Sequence, residues 1–98
     1  MKYNISILIT ANNDLLEICY ALAEFGDNPP EIFTESFYKF LDNVSNMPFM
    51  FPQYIRNPKY RKATLAYDYL VFYRVDKKNN TVKIYRILHS KRNIDKLL

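Results

Sequence analysis

The chain has 98 residues, of which 49% are aliphatic or aromatic and 24% are charged. This length fits a single domain spanning residues 1–98, and the composition excludes a disordered chain. The lone cysteine, Cys19, excludes an intramolecular disulfide and a multi-cysteine metal site. We expect neither a metal nor a cofactor.

The net charge of +4 is divided unequally between the two halves of the chain. Residues 1–50 carry two basic and seven acidic side chains, a net charge of −5, whereas residues 51–98 carry twelve basic and three acidic ones, a net charge of +9. The C-terminal half should therefore face a nucleic acid or an acidic protein. The apolar run at residues 7–9 is too short for a membrane span or a signal-peptide core. We expect a cytoplasmic protein with no membrane partner.

The first predicted elements are a strand and a helix. Residues 2–9 alternate apolar and polar side chains, which predicts a strand with one buried face. From Asn12 the period becomes helical, with Asp14 and Glu17 in the first turns and Gly26 at the C-terminal cap. The apolar side of this helix is formed by Leu15, Ile18, Cys19, Leu22 and Phe25.

A second helix should begin at Asn28, because Pro29 and Pro30 suit a first helical turn that needs no amide donors. Its apolar stripe consists of Phe33, Phe37, Phe40, Leu41 and Val44. The short link between the two helices predicts an antiparallel helical hairpin. Residues 47–58 contain three prolines and no sustained period, which is typical of an ordered loop.

Three strands should follow, because residues 60–66, 69–75 and 81–88 are rich in β-branched and aromatic side chains. Turn residues separate them, and Ser90 can cap a short C-terminal helix. The predicted fold class is therefore α+β with the order β-α-α-β-β-β. The helical hairpin should cover one face of an antiparallel sheet, leaving the other face open for many of the basic residues.

Two segments of this C-terminal half carry a family resemblance. The sequences YLVFYRV, from Tyr69, and RILHSKR, from Arg86, together with the element order, resemble RelE/ParE toxins of type II toxin-antitoxin systems, most closely the ParE-type branch. The resemblance implies the RelE/ParE-like fold and neutralisation by a cognate antitoxin. RelE-like members cut mRNA on the ribosome without metal, whereas ParE-like members poison DNA gyrase.

The residues favour the ParE-like alternative. Metal-free RNA cleavage requires a base, an acid and cations that converge on the phosphate. Leu70 stands where ribosome-dependent members commonly place an arginine, so one cation is missing. We therefore predict a gyrase poison that is not an enzyme. The alternatives are a RelE-like endoribonuclease acting on the ribosome and mRNA through His89, Arg61 and Arg92, and a decayed nontoxic member that acts only with its antitoxin.

The basic residues of the C-terminal half are the predicted contacts with the target or the antitoxin. They are Arg56, Lys59, Arg61, Lys62, Arg74, Arg86, Lys91 and Arg92. Simpler interpretations remain open: Arg74 and Arg86 alternate with apolar neighbours, as on the solvated face of a sheet, and His89 can fix a turn at the end of a strand.

Overall fold

The computed structural model describes residues 2–98 and confirms the predicted α+β fold class and element order. The elements are β1 (Asn4–Ile7), α1 (Ile9–Ala23), α2 (Asn28–Asn46), β2 (Arg61–Thr64), β3 (Tyr69–Asp76), β4 (Thr81–His89) and α3 (Ile94–Leu97). The short α3 is the predicted C-terminal helix. Within residues 2–98, no helix combines the length and the apolar character needed to span a membrane.

The junction between β1 and α1 differs from the sequence prediction. The strand ends at Ile7 and the helix begins at Ile9, three residues before the predicted Asn12. The amide of Leu8 donates to Ile84 and closes the strand ladder, while the amide of Asn12 donates to Leu8 and opens the helix. Asp14 therefore lies in the second turn of α1. The predicted position of its carboxylate, beside the free amides of the first turn, is wrong.

The strand order in the sheet is β1-β4-β3-β2. The predicted meander of β2, β3 and β4 is antiparallel, but β1 pairs parallel with β4, so the sheet is mixed rather than wholly antiparallel. The direction follows from the helices. The helix α1 packs along β4. The helix α2 then brings the chain back to the start of β1, where the backbone amide of Tyr3 donates to the carbonyl of Ser45 over 2.7 Å.

The main core lies between the helical hairpin and the sheet. Phe33, Phe37, Phe40 and Val44, predicted as the stripe of α2, are all buried there. Leu41, the fifth predicted member, is half-buried against the same core. The sheet contributes Val71, Tyr73, Val82, Ile84 and Ile87.

The second face of the sheet, predicted to stay open, is partly covered. Tyr60, Phe72, Leu88 and Ile94 form a smaller buried cluster there, with Leu97 and Leu98 packed against it. The tail turns back after β4, and Ile94 and Leu97 bury apolar surface on this face. Only the part of this face around Arg74 remains exposed.

Candidate interaction surfaces

The side of the sheet opposite α1 and α2 carries a cationic face, which we define as Lys59, Lys62, Arg74 and Lys83. Strand register places these side chains: Lys62 lies beside Phe72, and Arg74 lies beside Lys83. Adjacent pairs project from the same side of a sheet, and Phe72 belongs to the second cluster. The cationic face therefore points away from α1 and α2.

Three of these cations lie over tyrosine rings. The distances from charged group to ring centroid are 5.6 Å for Lys59 over Tyr60, 5.5 Å for Lys62 over Tyr54 and 5.7 Å for Arg74 over Tyr85. Contacts of this kind orient a cation without neutralising it. Among residues 2–98, no carboxylate forms a salt bridge with Lys59, Lys62 or Arg74. Their charge remains available to an acidic partner.

Lys83, which belongs to the cationic face, and Arg56, which is close to Lys59 in sequence, are already paired with carboxylates. The guanidinium of Arg56 lies 2.6 Å from Asp95, and this hydrogen bond holds the pKa of Asp95 below its usual value. Lys83 lies 3.5 Å from Asp76, whose pKa is lowered chiefly by hydrogen bonds from Asn79. Arg56 therefore holds the loop of residues 47–58 beside the C-terminal tail. The sequence had predicted a contact between Arg56 and a partner.

Arg86 has an internal role that the sequence did not predict. Its guanidinium donates to both carboxylate oxygens of Asp14, over 2.8 and 3.0 Å, and to the carbonyl of Leu97 over 2.9 Å. The carboxylate of Asp14 also accepts a hydrogen bond from the backbone amide of Ile87. The side chains of Arg86 and Asp14 are only 21% and 10% exposed. Arg86 thus joins α1, β4 and the tail, and it is neither on a solvated face nor free for a partner.

The structure does not bring together the three residues of the nuclease alternative. Arg61 on β2 lies opposite Tyr73, and His89 on β4 lies opposite Tyr69, so β3 separates the two side chains. Their positions also differ by four residues along β3, which corresponds to about 13 Å. Arg61 instead donates to the carbonyl of Phe51 over 2.7 Å. His89 and Arg92 do line one open groove together.

The surroundings of His89 are those of a turn residue. Its Nδ1 accepts the backbone amide of Lys91 over 3.2 Å, and its ring meets Tyr69 edge-on at 5.0 Å. The side chains of Lys91 and Arg92 are exposed on either side of this turn. Leu70, in place of an arginine, packs against the second cluster. An acid, a base and several cations therefore do not converge at one point of the sheet.

The solvent side of the helical hairpin forms a second surface, which sequence reasoning missed. We define the apolar hairpin surface as Leu16, Tyr20 and Tyr38, whose exposed fractions are between 55% and 78%. A groove between the helices adds Leu15 and Phe37 to it. The signal was present in the sequence, because Leu16 and Tyr20 are spaced by four residues off the predicted core stripe.

Comparisons with known proteins agree with this architecture. The family model of the ParE toxin of type II toxin-antitoxin systems, parDE, matches residues 5–94. No curated protein matches the chain. Solved structures of toxins and toxin-antitoxin complexes share the fold. The RelBE2 toxin-antitoxin complex from Mycobacterium tuberculosis has 24% identity and a TM-score of 0.67, over 91% of this chain and 99% of that one.

Two further structures represent both branches of the superfamily. The chromosomal ParDE system from P. aeruginosa has 17% identity and a TM-score of 0.63, over 90% of this chain and 96% of that one. The isolated E. coli RelE toxin has 16% identity and a TM-score of 0.68, over 98% and 99%. At these identities the likeness concerns the fold and does not distinguish gyrase from the ribosome as the target.

Proposed function

Because the chain belongs to the ParE toxin family of type II toxin-antitoxin systems, we propose that it arrests bacterial growth by binding DNA gyrase in the cytoplasm. The observation that carries the choice of target is the separation of Arg61 from His89, together with the packed Leu70. Losing one positioned charge donor costs a nuclease about a hundredfold or more in rate. Inhibition by protein contact requires no such convergence.

The cationic face is the proposed contact with gyrase. Lys59, Lys62 and Arg74 are held at fixed positions over tyrosine rings and carry unpaired charge. Complementary charge increases association rates and selects the partner. An acidic region of gyrase is the partner that this face fits.

A cognate antitoxin is the second proposed partner, bound at the apolar hairpin surface. The exposed side chains of Leu16, Tyr20 and Tyr38 form an apolar patch, and such patches on a protein surface mark interaction sites. Acidic side chains border it on α2, where Glu31 and Glu35 line a groove together with Tyr38. We therefore expect a segment with apolar and basic side chains. The similar RelBE2 and ParDE structures are themselves toxin-antitoxin assemblies.

A ribosome-dependent endoribonuclease remains the alternative, favoured by the shared groove of His89 and Arg92 and by the likeness to isolated RelE. The discriminating experiment induces the chain in bacteria, maps mRNA ends, and assays purified protein for inhibition of gyrase supercoiling and of translation. We expect growth arrest and loss of supercoiling without phased mRNA cuts. Codon-phased cuts that vanish in His89→Ala, with supercoiling intact, would restore the nuclease.

Charge variants test the contact itself. Lys62→Gln/Arg74→Gln should weaken inhibition of supercoiling about tenfold or more, because both cations would face acidic groups. Lys2→Gln/Lys39→Gln removes the same charge from residues outside the cationic face and serves as the control. Equal potency of the two double variants would contradict the assignment of this face.

A further inference from the structure

The turn between β2 and β3 has a backbone conformation that its residues do not favour. Tyr67 has φ 61° and ψ 31°, and Asp68 has φ 62°. The amide of Tyr69 donates to Ala66, which closes a two-residue turn of the I′ type. Asn and Gly are preferred at these two positions, because a side chain larger than that of Asn is strained at positive φ. A tyrosine at this position therefore lowers the stability of the fold relative to an asparagine or a glycine.

Within residues 2–98, the side chain of Tyr67 lies outside both core clusters. The residue is 42% exposed. Over the same residues, its ring pairs with no other aromatic ring and its hydroxyl forms no hydrogen bond. Neither an aromatic pair nor a side-chain hydrogen bond of Tyr67 therefore offsets the strain.

The turn is nevertheless fixed in place. Its Ala66 amide donates to the Ser36 hydroxyl over 3.2 Å, which ties it to α2. Its Asp68 carbonyl accepts the amide of Ser90 over 2.9 Å, which ties it to the residue that follows β4. The exposed side chains of Lys91 and Arg92 follow directly. Tyr67 is thus presented to solvent from a rigid support beside two cations.

From this geometry we infer that Tyr67 is an anchor residue for the target protein, inserted into an apolar pocket flanked by carboxylates. Strained backbone persists where a function requires it, and tyrosine buries a large area while losing little rotational freedom. The partner is a protein surface, because the proposed function acts through protein contact and an exposed aromatic ring fits an apolar pocket on such a surface. The inference rests on the proposed function, and it extends the contact from Lys62 to the end of β2.

Two substitutions in the same turn separate the side chain from the strain. Tyr67→Asn and Asp68→Gly each place a preferred residue at positive φ, so both should raise the melting temperature. Tyr67→Asn should reduce inhibition of supercoiling and growth arrest about tenfold or more, as expected for loss of an aromatic anchor. Asp68→Gly retains the ring and should keep full potency. Asn80→Gly, at the opposite end of β3, relieves another positive φ of 49° and controls for a general effect of stability.

The outcomes distinguish this inference from the proposed function. A Tyr67→Asn chain that is more stable and binds its antitoxin, yet has lost potency, supports the anchor. A chain that is less stable shows a packing role and overturns it, as does a stable chain with wild-type potency. If wild-type protein arrests growth without inhibiting gyrase, the proposed target is wrong, and the anchor is then judged by growth arrest alone. If wild-type protein does neither, both fail.

Discussion

The two faces of the sheet differ in what covers them. The face under α1 and α2 is sealed by phenylalanines of α2 and contains the fully buried Val71 and Tyr73. The other face is covered only by the loop around Tyr54 and by α3, a helix of four residues. It retains an exposed area of lysine and arginine. Stability is therefore concentrated on one face, which leaves the other free to carry charge for recognition.

The strongest test of this comparison is truncation within the helix-side core. Phe33→Ala removes a fully buried ring that contacts Tyr69 edge-on at 5.3 Å. The free energy of unfolding should fall by about 3–5 kcal/mol. Leu97→Ala, in the half-buried tail, should cost about 1 kcal/mol. Chemical denaturation of both variants measures the difference, and equal losses would mean that the tail side is part of the main core.

The ion pair between Asp14 and Arg86 should have the next largest effect, since it connects the two faces. Arg86→Met leaves Asp14 without its charged donor, and the free energy of unfolding should fall by about 2–3 kcal/mol, given the partial exposure of the pair. Arg74→Met removes an exposed arginine and should change stability little. If both variants unfold alike, Arg86 does not join the faces.

A smaller effect should appear at alkaline pH. Burial raises the pKa of Tyr73 to about 12, and its hydroxyl donates to the carbonyl of Pro48 over 2.9 Å. The unfolded chain ionises this phenol near pH 10. Its contribution to stability is therefore complete below pH 10 and is lost as the pH rises toward 12. Denaturation across this range should show a shallower decline for Tyr73→Phe than for wild type.

The smallest effect should come from the exposed pair of Arg56 and Asp95. Its hydrogen bond lowers the pKa of Asp95, so the pair contributes above the ordinary carboxyl pKa and is lost as the pH falls through the lowered value. Asp95→Asn should leave stability at neutral pH nearly unchanged, because exposed ion pairs contribute little. A large loss would show that the tail is held more firmly than its burial indicates.

The sequence predicted the fold well because hydrophobic period reports which side of an element faces the core. The stripe of α2 follows from that signal, and the three strands after residue 60 follow from their β-branched and aromatic side chains and the turn residues between them. The parallel pairing of β1 did not, because pairing direction depends on the path of the helices between the strands. The start of α1 was also missed, since Ile9 satisfies both the strand pattern and the helix pattern.

The candidate site was less predictable, because charge in a sequence does not reveal its partner. Arg74 and Arg86 have the same local pattern, yet one is exposed and the other is bound to Asp14, 72 residues away. Tyr67 lies between the predicted strands 60–66 and 69–75, where a turn was expected, but its positive φ and its exposure are visible only in three dimensions.

One consequence concerns the long edge of β4. This strand has nine residues, and β1 has four, so the ladder between them stops at Ile84. The second half of β4 pairs with β3 on one side but has no strand from residues 2–98 on its other side. An unprotected edge is a template for intermolecular strand addition and aggregation. The carboxylate of Asp14 accepts the edge amide of Ile87, and α1 covers this segment. A side chain on a helix thus takes the place of the missing strand and keeps neighbouring molecules from extending the sheet.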